Sequence, residues 1–360
     1  MGTLNLDDSL KLFSGKKVFI TGHTGFKGSW LTLLLLKLGA KIKGYAQDPI
    51  TNPSHFDLLG IKSDIDHITG DINDYNSLKQ SLIDYQPDFV FHLAAQALVR
   101  KSYDETLLTM NANIIGTANT LEAVNQCESV KSFVCITSDK CYENAEWIWG
   151  YRENDALGGH DPYSSSKACA EIIFSTYNRS FFQKKRGLGA ATARAGNVIG
   201  GGDWSEDRII PDCIRAIQAN EPMILRSPHS TRPWQHVFEP ISGYLCLAAN
   251  LFENPKSFSG SWNFGPSTSE VLTVKDVAKK IVEKLGNIEI VIDDSDKKKY
   301  ESNLLQLNCD KAKLRLGWSA KWKSSEALEM TAEWYNLYMK KINIKETSLS
   351  QLTDYFGNNL

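Results

Sequence analysis

Tyr163 and Lys167, four residues apart in Tyr163-Ser164-Ser165-Ser166-Lys167, are the most reactive pairing in the chain. On a helix that spacing puts both side chains on one face. A phenol with a pKa of about ten is a poor base at neutral pH. A neighbouring ammonium favours the phenolate and is expected to lower that pKa. Such a pair arises by chance in many helices, so its weight comes from its company. Thr137 and Ser138 end an apolar run upstream, and Asp139 and Lys140 follow directly. This places a hydroxyl, a carboxyl and a second amine where a tyrosine base would act.

A second constellation lies near the start of the chain. Thr21-Gly22-His23-Thr24-Gly25-Phe26-Lys27-Gly28 joins an apolar run to a helical pattern. Glycines at 22, 25 and 28 permit a tight turn, close approach of backbone to a pyrophosphate, and helix-on-strand packing. A helix N-terminus then offers free N–H groups and a positive dipole end to a diphosphate. Asp48 stands twenty residues past Gly28, near the place of an acid that bonds ribose hydroxyls; a solvated turn aspartate before Pro49 fits it as well. No arginine lies between Gly44 and Asn52 to grip a 2′-phosphate, which favours NAD over NADP. Asp71 and Ile72, after a third strand, could face the adenine or simply form a turn.

The elements that must hold these groups follow from pattern. Candidate strands are 17–21, 41–45, 88–94, 132–137 and 190–193, nearly continuous in apolar residues as strands covered on both faces are. Helical patterns at 27–38, 75–85, 113–125 and 164–182 alternate with them. That alternation predicts an α/β fold, a doubly wound parallel sheet of the Rossmann kind. Residues 1–195 are expected to form the dinucleotide-binding domain. Beyond Arg194, a glycine triplet and several prolines announce a smaller C-terminal substrate-binding lobe over 196–360, with 233–252 returning to the sheet. The tail from Ile342 is polar, weakly patterned and expected to be loosely held.

Composition narrows the function. Forty basic and forty-two acidic side chains leave a net charge of −2, with no field suited to nucleic acid or an anionic membrane. No run is long enough to span a bilayer, and Met1–Ser14 lacks the pattern of a secretory leader. Seven scattered cysteines, none in a Cys-x-x-Cys pair, read as reduced thiols in a cytoplasmic enzyme, and the seven histidines show no metal-ligand spacing.

The order of glycine turn, Thr137-Ser138 and Tyr-x-x-x-Lys resembles the extended short-chain dehydrogenase/reductase family over about residues 16–318. His92-Leu93-Ala94-Ala95-Gln96, Asn111-Ala112-Asn113 and Asp161-Pro162-Tyr163 agree with it. The resemblance implies NAD as cofactor. It would be held by Gly22, His23, Thr24, Gly25, Phe26, Lys27, Gly28, Asp48, Asp71, Ile72, Ala94, Ala95, Gln96, Asn113, Thr137, Tyr163 and Lys167. A bound nicotinamide ring, being positive, would further favour the Tyr163 phenolate.

Within the family, sugar epimerases usually lack an acid after the strand, and dTDP-glucose dehydratases carry Thr-Asp-Glu. The Ser138-Asp139-Lys140 form resembles the 4,6-dehydratases that act on CDP-glucose. So do the tryptophan-rich passage 144–153, the stretch 194–204 and Arg232-Pro233-Trp234-Gln235-His236-Val237; plain core packing would also account for the tryptophans. The resemblance implies oxidation at carbon 4 with Tyr163 as base, aided by Ser138 and Lys167. Water is then lost across carbons 5 and 6, with Asp139 as acid. Lys140 is either the carbon 5 base in its neutral form or a cation steadying the enolate. For the substrate diphosphate, Arg232 is the preferred clamp, with Asn197, Arg208 and Arg215 as further candidates. A UDP-N-acetylglucosamine dehydratase, a nucleotide-sugar 4-epimerase and a cofactor-sensing binding protein are the alternatives. Family members usually pair through two helices, here 113–125 and 164–182, so a homodimer or homotetramer is expected.

Overall fold

A computed structural model describes residues 2–185, 187–266, 272–293 and 304–357. Six strands lie where apolar runs and their polar neighbours alternate with helices: β1 (Lys17–Thr21), β2 (Lys41–Ala46), β3 (Asp66–Thr69), β4 (Phe89–His92), β5 (Ser132–Ile136) and β6 (Gly189–Arg194). With Gly260–Asn263 at the edge they form a seven-stranded sheet, ordered 260–263, β6, β5, β4, β1, β2, β3. Every pairing in it is parallel. Alternating side chains divide between two cores, as strand geometry requires. Val18, Ile20, Phe89, Phe91 and Val134 enter one; Phe19, Val90, Phe133 and Cys135 enter the other. The strand order reverses between β1 and β4, which opens a crevice at their carboxyl ends.

Several helices begin where a cap residue permits. The helix Phe26–Lys37 starts from Gly25, and Pro162–Ser180 starts from Asp161, whose carboxylate accepts from the Ser164 N–H at 2.9 Å. The segment returning to the sheet reaches further than 233–252. Phe238–Glu253 packs over β5 and β6, and Gly260–Asn263 pairs with β6. One apolar cluster runs from Leu10 to Phe356, so the lobe and the sheet share a core.

The tail is not loosely held. Ile344–Phe356 is a helix whose Leu352, Tyr355 and Phe356 are buried, and the Tyr355 hydroxyl donates to Glu239 at 2.6 Å. Polar side chains disguised it: Ser348 and Gln351 are also buried, each with a hydrogen-bond partner.

Candidate active site

The glycine turn is built by exclusion. Gly22 has φ +77°, and a side chain there would meet the Ala94 backbone nitrogen at 2.6 Å. A Cβ on Gly28 would fall 2.1 Å from the Gly22 carbonyl oxygen, so only glycine lets the helix sit this close to β1. Gly25, in contrast, is exposed and faces only an ordinary 3.5 Å contact. This opening at Gly25, the N-cap of the following helix, suits a diphosphate. Lys27 lies in the same opening; burial, with Arg208 beside it, lowers its ammonium to about 8. Asp48 and Asp71 flank the ends of β2 and β3. Thr69 donates to Asp48 at 3.4 Å, and Gln47 to Asp71 at 3.0 Å.

Other residues expected at the cofactor turn out to hold the walls. His23 is buried, ring against Gly44, with Nε2 2.7 Å from His67 Nδ1. Ile72 packs into the core against Gly116. Asn113 bonds the Gln96 backbone and donates to Ser166 at 2.8 Å, tying the β4 loop to the catalytic helix. The Gln96 side chain is taken by Thr109 and Leu98. Thr137 donates to Glu171 at 2.5 Å, so its hydroxyl points beneath the crevice. Ala94 and Ala95 border the crevice with backbone and methyl groups alone.

The Tyr163–Lys167 helix meets the Asp139–Cys141 turn that follows β5. Tyr163 lies close to Ser138, whose hydroxyl favours its phenolate, and Ser138 Oγ donates to Asp139 Oδ1 at 2.9 Å. The Lys140 N–H donates to the same hydroxyl at 3.2 Å. Lys167 Nζ stands 6.0 Å from the centre of the Tyr163 ring. One expectation is reversed here. The Tyr163 phenol is pushed up to about 12 by burial, against the opposing pull of Ser138 and Arg208. Burial also lowers Lys167. The helix spacing is right, but in a closed apolar pocket desolvation outweighs the ammonium.

Asp139 and Lys140 diverge, as successive side chains of a 3₁₀ turn do. Asp139, with Gly196, Pro233, Gln235, Pro266, Gln306 and Leu307, lines a small cavity. Lys140 lines a neighbouring hollow with Tyr142, Asn144, His160 and Leu305. Beneath both lies a buried ion pair that the sequence pattern does not announce. Arg194 donates to Glu171 at 2.7 Å and to Tyr142 at 2.7 Å. Burial alone would raise Glu171, but Arg194 and its hydroxyl donors more than offset this and hold it below the usual carboxylate range. Glu171 lies one turn past Lys167, a spacing that could have flagged it; Arg194 carries no local signal.

Among the substrate candidates, Arg208 faces Tyr163 and Lys27 electrostatically. Arg232 is buried and Asn197 adopts φ +48° at the crevice side of β6. Arg215 is engaged elsewhere, donating to the Trp204 and Ser205 carbonyls and to Asp212, which fastens a turn. The tryptophans divide, with Trp204 and Trp234 in the core and Trp147 and Trp149 exposed.

Residues 19–331 match the model of the family described as GDP-mannose 4,6 dehydratase. The chain belongs to this family. It is 44% identical to the CDP-glucose 4,6-dehydratase of Salmonella typhimurium, over 96% of this chain and 97% of that one. In fold it is similar to the epimerase Mth375 of Methanothermobacter thermautotrophicus, with TM-score 0.77, 22% identity, and 95% and 97% of the two chains covered. It is likewise similar to the dTDP-glucose 4,6-dehydratase of Bacillus anthracis in complex with NAD, with TM-score 0.75, 20% identity, and 92% and 100% covered. A family of nucleotide-sugar dehydratases accounts for an acid set beside a Tyr-x-x-x-Lys pair, for which a plain dehydrogenase has no use.

Proposed function

We propose that the protein is an NAD-dependent CDP-glucose 4,6-dehydratase, forming CDP-4-keto-6-deoxy-glucose and water. The observation that carries the reading is the Ser138–Asp139 hydrogen bond set beside Tyr163, supported by the 44% identity to a CDP-glucose dehydratase over nearly the whole chain. When bound over the glycine turn, NAD supplies the oxidant at carbon 4 and the reductant at carbon 6. Gly25 and the helix N-terminus receive its diphosphate, Asp48 a ribose and Lys167 the ribose nearer the reaction. Tyr163 takes the proton of the 4-hydroxyl. The resulting ketone acidifies the hydrogen at carbon 5, the side assigned to Lys140. Asp139 protonates the departing hydroxide. The Ser138 bridge lets the proton gained by Tyr163 pass to Asp139, so the 4-hydroxyl proton leaves in the water formed. Arg232, Asn197 and Arg208 are assigned to the substrate diphosphate. Residues 196–360 chiefly form the nucleotide-sugar lobe.

The test offers NAD with CDP-, UDP-, dTDP- and GDP-glucose and UDP-N-acetylglucosamine, then reads the ultraviolet absorbance of 4-keto-6-deoxy sugars in alkali. Product from CDP-glucose alone is expected. Product from another sugar keeps the chemistry and overturns the substrate; none from any overturns the reading.

We also infer a soluble cytoplasmic homodimer. No helix among the described residues is long and apolar enough to cross a membrane. Ile172 and Phe181 on the catalytic helix and its end, with Leu107, Leu108 and Ile115 nearby in sequence to its partner helix, are exposed apolar residues suited to a second copy. Sedimentation that finds only monomer at micromolar concentration contradicts this.

A further inference from the structure

Gln235 holds an acceptor with nothing to accept. Its side-chain nitrogen donates to the Gly196 carbonyl at 3.0 Å and to the Phe264 carbonyl at 3.1 Å. Two carbonyls on the nitrogen side fix the amide's orientation, because a reversed amide would set oxygen against oxygen. Oε1 is buried and has no hydrogen-bond partner among the described residues, though the residue is only 1% exposed. An unmet buried acceptor is costly, and one on a residue that lines a cavity is placed to meet a group that enters it. Gln235 lines the same cavity as Asp139. The two are also linked through Gly196, whose missing side chain makes room for the Asp139 carboxyl: a Cβ there would lie 1.9 Å from Oδ2.

We propose that Gln235 is a substrate-contacting residue of the elimination step, its Oε1 accepting a hydrogen bond from the hydroxyl that leaves carbon 6. The inference rests on the dehydratase reading above. Two residues that carry oxygen acceptors line one cavity, and such a pair suits a group that carries hydrogen. The carbon 6 hydroxyl is such a group, and after protonation it carries two. In the step, the base removes the carbon 5 proton and that electron pair forms the carbon 5–carbon 6 double bond. The carbon 6–oxygen bond breaks with its pair on oxygen, which takes the proton of the Asp139 carboxyl. The oxygen keeps its original hydrogen, which stays hydrogen-bonded to Gln235 Oε1 throughout and aims a lone pair at Asp139. Of the remaining walls, Pro233, Pro266 and Leu307 are apolar and Gln306 is polar. The apolar ones suit the methyl group that carbon 6 becomes.

The experiment compares wild type with Gln235→Leu and Gln235→Met, using CDP-glucose and CDP-6-deoxy-6-fluoroglucose. Fluoride leaves without a proton and has no hydrogen to give Gln235. With CDP-glucose, the variants are expected to make product about 100-fold more slowly, the lower end for one lost contact in a transition state. Oxidation at carbon 4 continues in them, so the absorbance of enzyme-bound reduced nicotinamide accumulates. With the fluoro substrate the variant-to-wild-type ratio returns to about one, since no such contact is lost. An equal loss on both substrates makes Gln235 a packing residue and overturns the proposal, as does no loss on either. Using the ratio keeps the test valid if a variant is partly unfolded. Failure of wild type itself on CDP-glucose is the separate failure of the dehydratase reading.

Discussion

The two halves of the crevice recognise their ligands by different means. On the glycine-turn side the protein uses backbone: bare Gly25, a helix N-terminus and three glycines within seven residues. On the Asp139 side it uses side chains from distant parts of the chain, Ser138, Asp139, Gln235 and Leu307, brought to one cavity by three separate segments. A backbone site needs local spacing only, so it can be read along the sequence and is shared by many relatives. A side-chain site is assembled by topology, so its members lack a spacing rule. In the proposed reading, specificity and the later chemistry belong to the second kind.

Breaking the chemistry while sparing the backbone site separates the two halves most sharply. Tyr163→Phe is expected to lower turnover about 10³-fold, the scale of a lost general base. NAD binding, followed by quenching of intrinsic fluorescence, stays near wild type. Comparable losses in both would merge the two halves.

The buried pair beneath the side-chain site comes next. Both Arg194 and Glu171 are at most 2% exposed. Arg194→Leu strands a buried carboxylate and is expected to cost about 3–5 kcal/mol in urea denaturation. Glu171 is held below its unfolded range, so its share of stability is present at neutral pH and lost as pH falls through its folded value. Glu171→Gln should therefore show a shallower fall in melting temperature on acidification than wild type.

Within the backbone site, Gly28→Ala and Gly25→Ala should part company. The first forces a Cβ to 2.1 Å from a carbonyl oxygen and lowers the melting temperature markedly; the second meets only a 3.5 Å contact. Gly25→Ala is expected to change stability by about 1 kcal/mol or less, the cost of alanine at a helix N-cap. It nonetheless weakens NAD binding measured by calorimetry. Equal effects on stability would refute the division of labour between these glycines.

The smallest effect is a displaced pH profile. Tyr163 must be ionised to act, so kcat/KM rises with pH, and removing a nearby cation disfavours the phenolate. Lys167→Met should move the rising limb to higher pH in the profile of the residual activity, and a limb that stays in place would discount the ammonium's influence.

Much of the fold and half of the site are legible in the sequence. Five of the strands and the helix Tyr75–Tyr85 lie at or within a few residues of where apolar periodicity puts them. Two strands of the seven-stranded sheet lack that pattern, although a third strand is expected before Asp71. Asp66–Thr69 is a polar edge strand, and Gly260–Asn263 contains glycine, serine and asparagine, all poor strand formers, held by pairing with β6. The glycine turn and Tyr163–Lys167 are visible because each is local. Gln235 is invisible as a site residue until the strand Gln235–His236 pairs with Val198–Ile199 and faces it to Asp139. Nor does spacing disclose that Thr137 and Asn113 turn toward Glu171 and Ser166, because those partners lie 34 and 53 residues away.

The central claim is that one cleft oxidises carbon 4, eliminates water and reduces carbon 6 without net redox change. Its most direct test is CDP-glucose carrying deuterium at carbon 4, with the product read by mass spectrometry and NMR. The account predicts deuterium in the new methyl group at carbon 6 and no net reduced cofactor released. Deuterium retained at carbon 4, or lost to free reduced cofactor, would contradict it.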